Sequence, residues 1–452
     1  YQSCSAFAGN PYFIDLDALK ADGLLTAAQL KAEKWGDDPL SVDYGTLYTS
    51  RYKVLRTAYA AWREKYAGLH GCAHYYPDDY YAFALANDSW LNDYALYMAL
   101  KTANGMKSWT EWPREYRKRE PQALEAFKAE NEVEIGFWKF LQYEFSIQWK
   151  KLKAYANSKG IQIIGDIPIY VALDSADAWA NPGLFQLDKD NIPTAVAGVP
   201  PDGFSPTGQL WGNPLYRWEA HHETGYQWWI SRLAYVFRLY DVVRIDHFRG
   251  FDEYFSIPYG DKDARGGHWE KGPGIDLFRK IEQALGWKQV IAEDLGYMTD
   301  SVRHLVYESG FPGMKVLEFA FDSREKSDYL PYTYEKNSVV YTGTHDNETI
   351  AGWYAGLDKS DLKMCTDYMN IDRIPGKEYH WDFIRLAMLS VSDLCVIPIQ
   401  DYLGLDNRAR INHPSTLGTN WRWRLAKGQL SASLLKEIRE MTRISGRLQN
   451  GE

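Results

Sequence analysis

Three acidic residues directly follow short apolar runs in the second half of this chain of 452 residues. Asp246 ends the segment VVRID, Glu293 ends the segment VIAE, and Asp346 lies in THDNET after VVYTG. A carboxylate beside a buried strand costs free energy unless it is paired or needed for function. When such strands are parallel, their carboxyl ends share one edge. Carboxylates grouped there without a metal-binding pattern indicate acid/base and nucleophilic chemistry on a glycosidic bond.

Asp246 is the candidate nucleophile. Arg244 lies two residues earlier on the same face of the strand, so its positive charge can keep the aspartate ionised at neutral pH. A nucleophilic carboxylate requires that ionised state. The alternative is structural, with Asp246 capping a helix and Arg244 exposed at the surface.

Glu293 is the candidate general acid. A glutamate that is half buried among apolar neighbours tends to have a raised pKa, which a general acid needs. The neighbouring Asp294 has the same chemistry. Only the alternation of side chains along a strand distinguishes Glu293 from Asp294, since just one of two successive residues points toward the barrel interior. The alternative interpretation is an acidic start of a helix.

The segment THDNET places His345 beside Asp346 and Asn347. A histidine next to a carboxylate and an amide can hold neighbouring hydroxyl groups of a sugar, although a structural hydrogen-bonded pair is the simpler alternative. The segment HGCAH at residues 70–74 has the ligand types of a zinc site but no obvious fourth ligand. We therefore predict no metal and no cofactor.

From Gly160 onward, apolar strands alternate with helical segments, whereas residues 24–158 are predicted to be mostly helical, with long helices over 48–67 and 132–158. The aliphatic and β-branched composition of the strands and the long connections between them predict parallel strands with helical crossovers. The six predicted strands cover residues 161–169, 242–245, 290–292, 315–319, 339–342 and 394–399.

An α/β architecture of this kind is either an open doubly wound sheet or a (β/α)8 TIM barrel. No glycine-rich phosphate loop follows any strand, which argues against the nucleotide-binding sheet. On the barrel interpretation the chain holds strands three to eight, and the first two strands would precede Tyr1. Polar residues near most strand ends favour a barrel, in which all strands open on one mouth: Asp166, Asp246, Glu293, Glu318, Asp346 and Asp401.

We predict three parts of the chain. Residues 1–23 form a loop that enters the barrel mouth, residues 24–145 form a mainly helical insertion, and residues 146–452 form the catalytic barrel. Within the barrel, about residues 178–218 form a long irregular insertion rich in Pro, Gly and Asp. Loops of this length in a compact domain are usually lids or binding loops, the alternative being a plain surface insertion.

The composition narrows the class of function. With a net charge of -9, the chain has no basic surface for nucleic acid or anionic membranes. No apolar stretch reaches the roughly 18 residues that span a bilayer, so we expect a soluble protein. A minority of the 18 Trp and 33 Tyr residues can line a sugar-binding cleft. The scattered spacing of the cysteines favours free thiols in the reducing cytoplasm: Cys4, Cys72, Cys365 and Cys395.

Taken together, these segments resemble the 4-α-glucanotransferases of the amylomaltase or disproportionating-enzyme type, glycoside hydrolase family 77. The resemblance implies a (β/α)8 barrel with helical insertions and a retaining double displacement. It also implies the transfer of α-1,4-glucan segments between maltooligosaccharide or starch-type donors and acceptors, with glucose as a product or acceptor. The matching segments are YQSCSAFAGNP, GDIPIYVALDSADAWANPGLFQLD, PPDGFSPTGQLWGNPLYRW, VVRIDHFRGF, IAEDLG, FPGMKVLEFAF, YTGTHDNET and residues 401–424.

The resemblance also implies a role for each candidate residue. Asp246 would form the glucosyl-enzyme, Glu293 would act as general acid and then base, and Asp346 would hold the 2- and 3-hydroxyls of the donor sugar. In retaining enzymes the nucleophile and the acid/base carboxyl lie roughly 5–5.5 Å apart. The positions that match substrate-binding residues are Tyr1, Arg244, His247, His345, Asp202, Trp211 and Asn412.

Two features depart from the family pattern. Gly203 stands where some members carry an aromatic residue, which predicts weaker stacking of the acceptor. The family's two upstream strands are absent from the sequence. Two other functions stay open at this point: a hydrolytic α-glucan enzyme of the amylase clan, and an inactive, truncated glucan-binding form.

Overall fold

The computed structural model describes residues 2–70, 76–202, 205–296, 298–372, 378–414 and 416–448. The chain forms two compact units, each of which combines helices and strands as the α/β prediction requires. The first unit comprises residues 1–35, 45–290 and 299–309, and the second comprises residues 36–44, 291–298 and 310–452.

The helices of the first unit are α1 (Leu16–Ala21), α2 (Ala27–Lys31), α3 (Tyr44–His70), α4 (Asp78–Ala86), α5 (Asp88–Ala103), α6 (Arg114–Arg117), α7 (Pro121–Glu130), α8 (Glu132–Ser158), α9 (Ala176–Ala180), α10 (Trp218–Glu223), α11 (Gln227–Leu239), α12 (Ile275–Leu285) and α13 (Asp300–Ser309). Its strands are β1 (Ile164–Pro168), β2 (Ala195–Val199), β3 (Gln209–Pro214), β4 (Val242–Asp246), β5 (Glu253–Pro258), β6 (His268–Lys271) and the first residue of β7 (Val290–Ala292).

The long helices of the first unit agree with the sequence prediction, since α8 covers residues 132–158 and α3 includes residues 48–67. Glu132 and Glu134 in the first turn of α8 interact favourably with the positive end of the helix dipole. The helix ends just before Gly160, whose φ of 74° is a conformation that other residues rarely adopt. One side of α8 is fully buried, at Phe137 and Phe140 among others, because its apolar residues recur at helical spacing.

The first parallel sheet contains β1, β4 and the start of β7. β1 pairs with β4 in parallel, and the register sets Asp166 opposite Arg244 and Pro168 opposite Asp246. β4 is buried as far as Ile245, as expected for a strand that is covered on both faces. Asp246 therefore lies where the strand leaves the core at its carboxyl end.

A second sheet of the first unit has four antiparallel strands in the order β3–β2–β5–β6. Two of these strands, β2 and β3, lie within residues 178–218, so this segment is more regular than the irregular insertion that the sequence predicts. Short strands of this kind are stabilised by their cross-strand neighbours, which local sequence does not reveal. The other two strands of this sheet, β5 and β6, come directly after β4 in the chain and were not predicted from the sequence.

The second unit contains a parallel sheet in the order β10–β9–β8. Every residue of β9 is buried, and Val340 packs with Leu317, Tyr334 and Ala387. The helices of this unit are α14 (Ile350–Gly356), α15 (Lys359–Met369), α16 (His380–Met388), α17 (Ile399–Tyr402) and α18 (Ala432–Ile444). Its complete strands are β8 (Gly313–Val316), β9 (Ser338–Tyr341) and β10 (Leu394–Val396).

Two predicted strands, 315–319 and 394–399, end three residues earlier than expected. Residues 317–319 leave β8 and form a 3₁₀ turn, in which the Glu318 N–H donates to the Thr342 carbonyl oxygen. β10 stops before Pro398, which cannot donate to a strand partner and instead precedes the first turn of α17. Glu318 and Asp401 therefore lie in helical turns, whereas Asp166 lies inside β1. The ten described strands fall into three sheets, and the three-part division of the chain stays a prediction.

Candidate active site

Arg244 binds two carboxylates at the carboxyl end of the first parallel sheet. Its Nη1 atom lies 2.7 and 2.8 Å from the two Asp166 oxygens and 3.0 Å from Asp246 Oδ1. The arginine side chain is only 9% exposed, whereas Asp166 and Asp246 are 29% and 22% exposed. A buried cation thus lies in direct contact with a partly accessible aspartate, and the pairing of Arg244 with Asp246 expected from their spacing is present.

His247 follows Asp246 in the left-handed backbone region, with φ 53° and ψ 50°. Few residues other than glycine or asparagine adopt this conformation, and where they do it often serves a functional site. Burial and the nearby Arg249 lower the pKa of His247 to about 3. The imidazole is therefore neutral at pH 7, with one nitrogen able to donate a hydrogen bond and the other able to accept one.

An aromatic cluster surrounds His247. The ring of Trp211 lies perpendicular to His247 with 4.8 Å between centroids, and Tyr170 lies 6.5 Å from His247. Trp211 is half buried on β3, and its indole N–H donates to Gln209 Oε1 at 3.1 Å. A partly accessible indole face is a surface on which a pyranose ring can stack.

Arg232 on α11 holds the carboxyl end of β1. Its guanidinium donates to the Pro168 carbonyl oxygen at 2.6 Å and to the Ile169 carbonyl oxygen at 3.0 Å, and the residue is 2% exposed. The Tyr216 hydroxyl donates to the same Ile169 oxygen at 2.8 Å. These bonds fix the backbone between Asp166 and Tyr170.

Asp202 lies on the exposed loop that precedes β3. Its Oδ1 atom accepts a hydrogen bond from the Ser205 N–H at 2.6 Å, and its own N–H donates to the Ser205 carbonyl oxygen at 3.0 Å. Gly203 lies outside the described residues, so its predicted effect on acceptor stacking stays a prediction.

Glu293 and Asp294 follow β7 in the second unit and have different surroundings. Asp294 Oδ1 accepts a hydrogen bond from the Met314 N–H at 2.7 Å, and its carboxylate occupies the space that a side chain at Gly313 would need. Glu293 Oε1 accepts from the Leu295 N–H at 2.9 Å, in its own turn. Asp294 is therefore tied to β8, which separates two carboxylates that the sequence left equivalent.

Asp346 lies in the turn after β9. The second unit brings it together with two other predicted site residues, His345 and Asn412. Asn412 Nδ2 donates to Asp346 Oδ1 at 2.5 Å, and His345 Nε2 lies 3.3 Å from Asp346 Oδ2. Arg410 donates to the Asp346 carbonyl oxygen and to the Asn412 carbonyl oxygen, both at 2.8 Å. Asp346 is therefore held at two points: its backbone carbonyl oxygen is bound by Arg410, and its carboxylate is bound by Asn412.

Trp421 packs against His345. The two ring centroids lie 5.2 Å apart, with the planes tilted by 40°. Trp421 has a positive φ of 60°, and its carbonyl oxygen accepts a hydrogen bond from the Tyr44 hydroxyl at 2.6 Å. The indole is 49% exposed and so offers an apolar surface next to His345 and Asp346.

Tyr1 lies outside the described residues, as do residues 71–74 of the HGCAH segment. Within the ranges that the structure describes, no group of three or more His, Cys, Asp or Glu side chains is arranged to bind a metal ion. No helix in those ranges is both long enough and apolar enough to cross a membrane.

Sequence reasoning missed four residues that shape these surroundings. Asp166 was singled out as a strand-end acid but not as a partner of Arg244, because only strand register sets the two side by side. Arg232 gives no local signal, since an arginine on a helix is usually exposed. Arg410 and Trp421 lie in residues 401–424, a segment that resembles the family, and this resemblance was the one sequence feature that could have pointed to them.

Comparison with known proteins identifies the family. The sequence profile of glycoside hydrolase family 77, described as 4-alpha-glucanotransferase, matches residues 1–430. The chain belongs to this family. It is 44% identical over 450 residues to the 4-alpha-glucanotransferase of Clostridium butyricum, covering 99% of this chain and 90% of that protein. It is 46% identical over 453 residues to the 4-alpha-glucanotransferase of Streptococcus pneumoniae, covering 99% and 87%.

A solved structure agrees with these sequence relatives. Amylomaltase from Streptococcus agalactiae, in complex with acarbose, matches this chain with a TM-score of 0.94 and 38% identity, covering 99% of this chain and 89% of that chain. The family resemblance drawn from the motifs is therefore confirmed. The chain is a glucan-transferring enzyme, and the relatives named above are glucanotransferases or amylomaltase rather than hydrolases.

Proposed function

We propose that this family member transfers α-1,4-glucan segments by a retaining double displacement. In the first step the Asp246 carboxylate attacks the anomeric carbon of the donor sugar, while Glu293 gives its proton to the departing glycosidic oxygen. In the second step Glu293 removes the proton from an acceptor hydroxyl, whose oxygen displaces Asp246 from the anomeric carbon. Because the configuration inverts twice, the new bond is again an α-glycosidic bond.

The contact between Arg244 and Asp246 is the observation that carries this proposal. A carboxylate acts as a nucleophile only when it is ionised, and the guanidinium 3.0 Å away favours that charge. Asp166 binds the same guanidinium, so this one cation faces two carboxylates. Asp246 is proposed as the nucleophile because it is the last residue of β4 at the carboxyl edge of the sheet, whereas Asp166 lies within β1.

Glu293 is proposed as the acid/base residue because its neighbour Asp294 has a structural partner. The Met314 N–H binds Asp294 and ties it to β8. Glu293 stands at the carboxyl end of β7, half buried and oriented by the Leu295 N–H. A half-buried carboxyl group is suited to alternate between its protonated and ionised forms during the two steps.

Asp346 is proposed to bind the 2- and 3-hydroxyls of the donor sugar. Asn412 binds its carboxylate and Arg410 binds its backbone carbonyl oxygen, and such preorganisation raises the contribution of each hydrogen bond to catalysis. His345 would contact the same sugar. Arg244 and His247 are assigned to donor binding from the first unit.

Trp211 and Asp202 are proposed to bind the acceptor chain, and Tyr1 is proposed as a further substrate-binding residue. The half-buried indole provides the apolar platform, and the Asp202 carboxylate can accept hydrogen bonds from acceptor hydroxyls. The substrates are maltooligosaccharides and starch-type chains, and glucose serves as a product and an acceptor. Since the Streptococcus agalactiae amylomaltase was solved with acarbose, we propose that this chain binds acarbose as well.

A trapped intermediate tests the nucleophile. The enzyme is incubated with 5-fluoro-α-glucosyl fluoride, which forms the glucosyl ester quickly and releases it slowly, and peptide mass spectrometry locates the ester. We expect the ester on Asp246 and a loss of turnover of roughly 1,000-fold or more in Asp246→Asn. Asp166→Asn is the matched control and should still be labelled. An ester on any other residue would show that the nucleophile is assigned incorrectly.

Chemical rescue tests the acid/base residue. Glu293→Ala should still use α-glucosyl fluoride, because fluoride leaves without a proton, and added azide should then produce α-glucosyl azide. The wild-type enzyme should form none. If Asp294→Ala produces the azide product and Glu293→Ala does not, the two roles are exchanged.

Incubation with maltotriose tests transfer by this chain. Transfer gives glucose together with a ladder of longer maltooligosaccharides, because an acceptor hydroxyl captures the glucosyl-enzyme before water does. Glucose and maltose alone would indicate the hydrolytic alternative. No turnover would indicate the non-catalytic, glucan-binding alternative.

We also propose that β1, β4, β7, β8, β9 and β10 belong to one (β/α)8 barrel, with residues 1–23 as a loop at its mouth, 24–145 as a helical insertion and 146–452 as the catalytic part. The parallel pairing of five of these strands and the TM-score of 0.94 support the proposal. A cytoplasmic location is supported by the free thiols of Cys4, Cys365 and Cys395.

A further inference from the structure

Glu318 is a buried acid of the second unit that the mechanism above does not use. It lies in the 3₁₀ turn after β8 and is 8% exposed. Its Oε1 atom is fully buried and has no hydrogen-bond partner within the ranges that the structure describes. Burial and the neighbouring acids Asp401 and Glu348 raise the pKa of Glu318 well above its usual value. Burial of this carboxyl group thus favours its uncharged form.

A chain of hydrogen bonds connects Asn347, next to Glu318, to Asp346 in the turn 343–348. The Asn347 side chain and the Glu348 backbone interact with the Glu318 carboxyl group and partly offset the rise in its pKa. Asn347 Oδ1 accepts from the Thr344 N–H at 3.0 Å and from Thr344 Oγ1 at 2.7 Å. Thr344 Oγ1 in turn accepts from the Asp346 N–H at 3.2 Å. These bonds connect Asn347, which lies next to the buried acid, to the backbone of the proposed substrate-binding residue Asp346.

Packing holds Glu318 against the base of the same turn. A Cβ atom added to Gly343 would lie 2.6 Å from Glu318 Oε1, so the acid occupies the space that this glycine leaves. The Glu318 N–H donates to the Thr342 carbonyl oxygen at 3.3 Å, just past β9. The acid is thus attached to the turn by its backbone and by its side chain.

Asp401 holds the two ends of the turn, and Glu318 holds its middle. Asp401 accepts from Thr342 Oγ1 at 2.5 Å and from the Ile350 N–H at 2.8 Å. Neither bond reaches the residues between 343 and 348. Inside that stretch, Asn347 and Thr344 supply the internal bonds, while Arg410 and Asn412 bind Asp346 from outside it.

We propose that Glu318 is a positioning residue for Asp346, which acts through Asn347 and Thr344 to fix the turn 343–348 that presents this carboxylate to the donor sugar. The inference rests on the proposed role of Asp346. Glu318 contributes hydrogen-bond acceptors rather than a negative charge, because an ionised carboxylate with a buried, unpaired oxygen is costly. An uncharged amide at this position should therefore substitute for it.

Steady-state kinetics of maltotriose disproportionation test the proposal, with thermal unfolding measured in parallel. Glu318→Gln keeps a carbonyl acceptor and the side-chain volume, so we expect a kcat within about threefold of the wild type. Glu318→Leu fills the space without an acceptor, and a displaced Asp346 should lower kcat by roughly 10- to 100-fold. Met388→Ala, a buried change on α16, is the control for lost stability alone and should keep its kcat below its melting temperature.

A double-mutant cycle tests the chain of bonds. Asn347→Ala breaks the next link, so its kcat should fall as in Glu318→Leu, and the double variant should be no more than about twofold slower than the slower single variant. Losses that multiply would show independent roles and overturn the proposal. Wild-type kcat in Glu318→Leu, or equal losses in Glu318→Gln and Glu318→Leu, would also overturn it.

Asp346→Asn, measured in the same assay, separates this inference from the proposed function. Wild-type kcat in Asp346→Asn would refute the proposed role of Asp346 itself. If Asp346→Asn is inactive while Glu318→Leu and Asn347→Ala keep wild-type kcat, the role of Asp346 stands and the positioning inference alone fails.

Discussion

At the scale of single residues, the charge balance around Asp246 depends on one guanidinium. Arg244 contacts Asp166 and Asp246 together and is largely buried. Repulsion between two neighbouring carboxylates costs free energy, and a cation that both of them contact offsets that cost. The same contact therefore matters for folding and for nucleophilicity.

Replacement of Arg244 should affect both properties. Arg244→Met leaves two carboxylates without their cation, so we expect kcat/KM to fall about 100-fold or more and stability to fall by about 3–5 kcal/mol. Urea denaturation and maltotriose kinetics measure the two effects. Asp166→Asn is the control, since it keeps the cation on Asp246 and should retain more activity than Arg244→Met. The reverse order of activities would contradict this view of Arg244.

Trp211 should affect the acceptor more than the donor. Trp211→Ala removes the stacking surface, so we expect the KM for glucose as acceptor to rise by about 3- to 10-fold and the share of hydrolysis to increase. Product analysis by chromatography measures both. Tyr259→Ala removes an exposed aromatic residue just past β5 in the same sheet and should leave the transfer ratio unchanged. An unchanged ratio in Trp211→Ala would exclude the indole from the acceptor site.

At the scale of secondary structure elements, Gly198 allows two strands of the antiparallel sheet to approach. Its position in β2 leaves no room for a side chain, because a Cβ atom would overlap the Gln209 carbonyl oxygen and crowd Ile257 Cδ1 at 2.5 Å. Backbone atoms of a neighbouring strand cannot move aside as a flexible side chain can. The glycine thus sets the distance between β2 and β3, and with it the position of Trp211.

A methyl group at this site should destabilise the sheet. Gly198→Ala is expected to lower the free energy of unfolding by about 1–3 kcal/mol, as overpacked sites do. Chemical denaturation measures the change. Gly183→Ala is the matched control because a Cβ there meets open space, and it should stay within about 0.5 kcal/mol of the wild type. Equal stability of the two variants would show that β2 and β3 can separate without cost.

At the scale of the whole molecule, Glu144 makes the stability of the fold depend on pH. It is 3% exposed on α8, and burial, together with Asp22, raises its pKa to about 7. In the unfolded chain the pKa is the ordinary 4.5, so the folded state binds this proton more tightly. The contribution of Glu144 to the free energy of unfolding is therefore fully present below about pH 4.5 and is lost as the pH rises through about 7.

Glu144→Gln should remove this dependence. The amide needs no proton to stay uncharged, so the variant should be more stable than the wild type by roughly 3 kcal/mol at pH 8 and nearly equal to it at pH 4.5. Urea denaturation at several pH values measures the difference. Asp79→Asn, which changes a neighbouring acid, is the comparison variant. A constant difference between Glu144→Gln and the wild type at all pH values would refute the assignment.

The elements that could be predicted are those whose own residues determine them. The helix α8 and the strand β7 have the predicted bounds because helical periodicity and an uninterrupted apolar run are local signals. β2, β3, β5 and β6 were missed because their stability comes from pairing with partners far along the chain. The ends of β8 and β10 were placed too late, since apolar residues continue past the last strand hydrogen bond into a helical turn.

By itself, the sequence determined the family, the α/β class and the three candidate acids, because chemical identity and order along the chain are local properties. Only the tertiary structure decided which groups surround each acid: Asp166 beside Arg244 through strand register, and Met314 on Asp294. It also decided the position of Glu318 behind the turn of Asp346. Hydrogen bonds between residues distant in sequence depend on register, burial and approach distances, and these quantities exist only once the chain has folded.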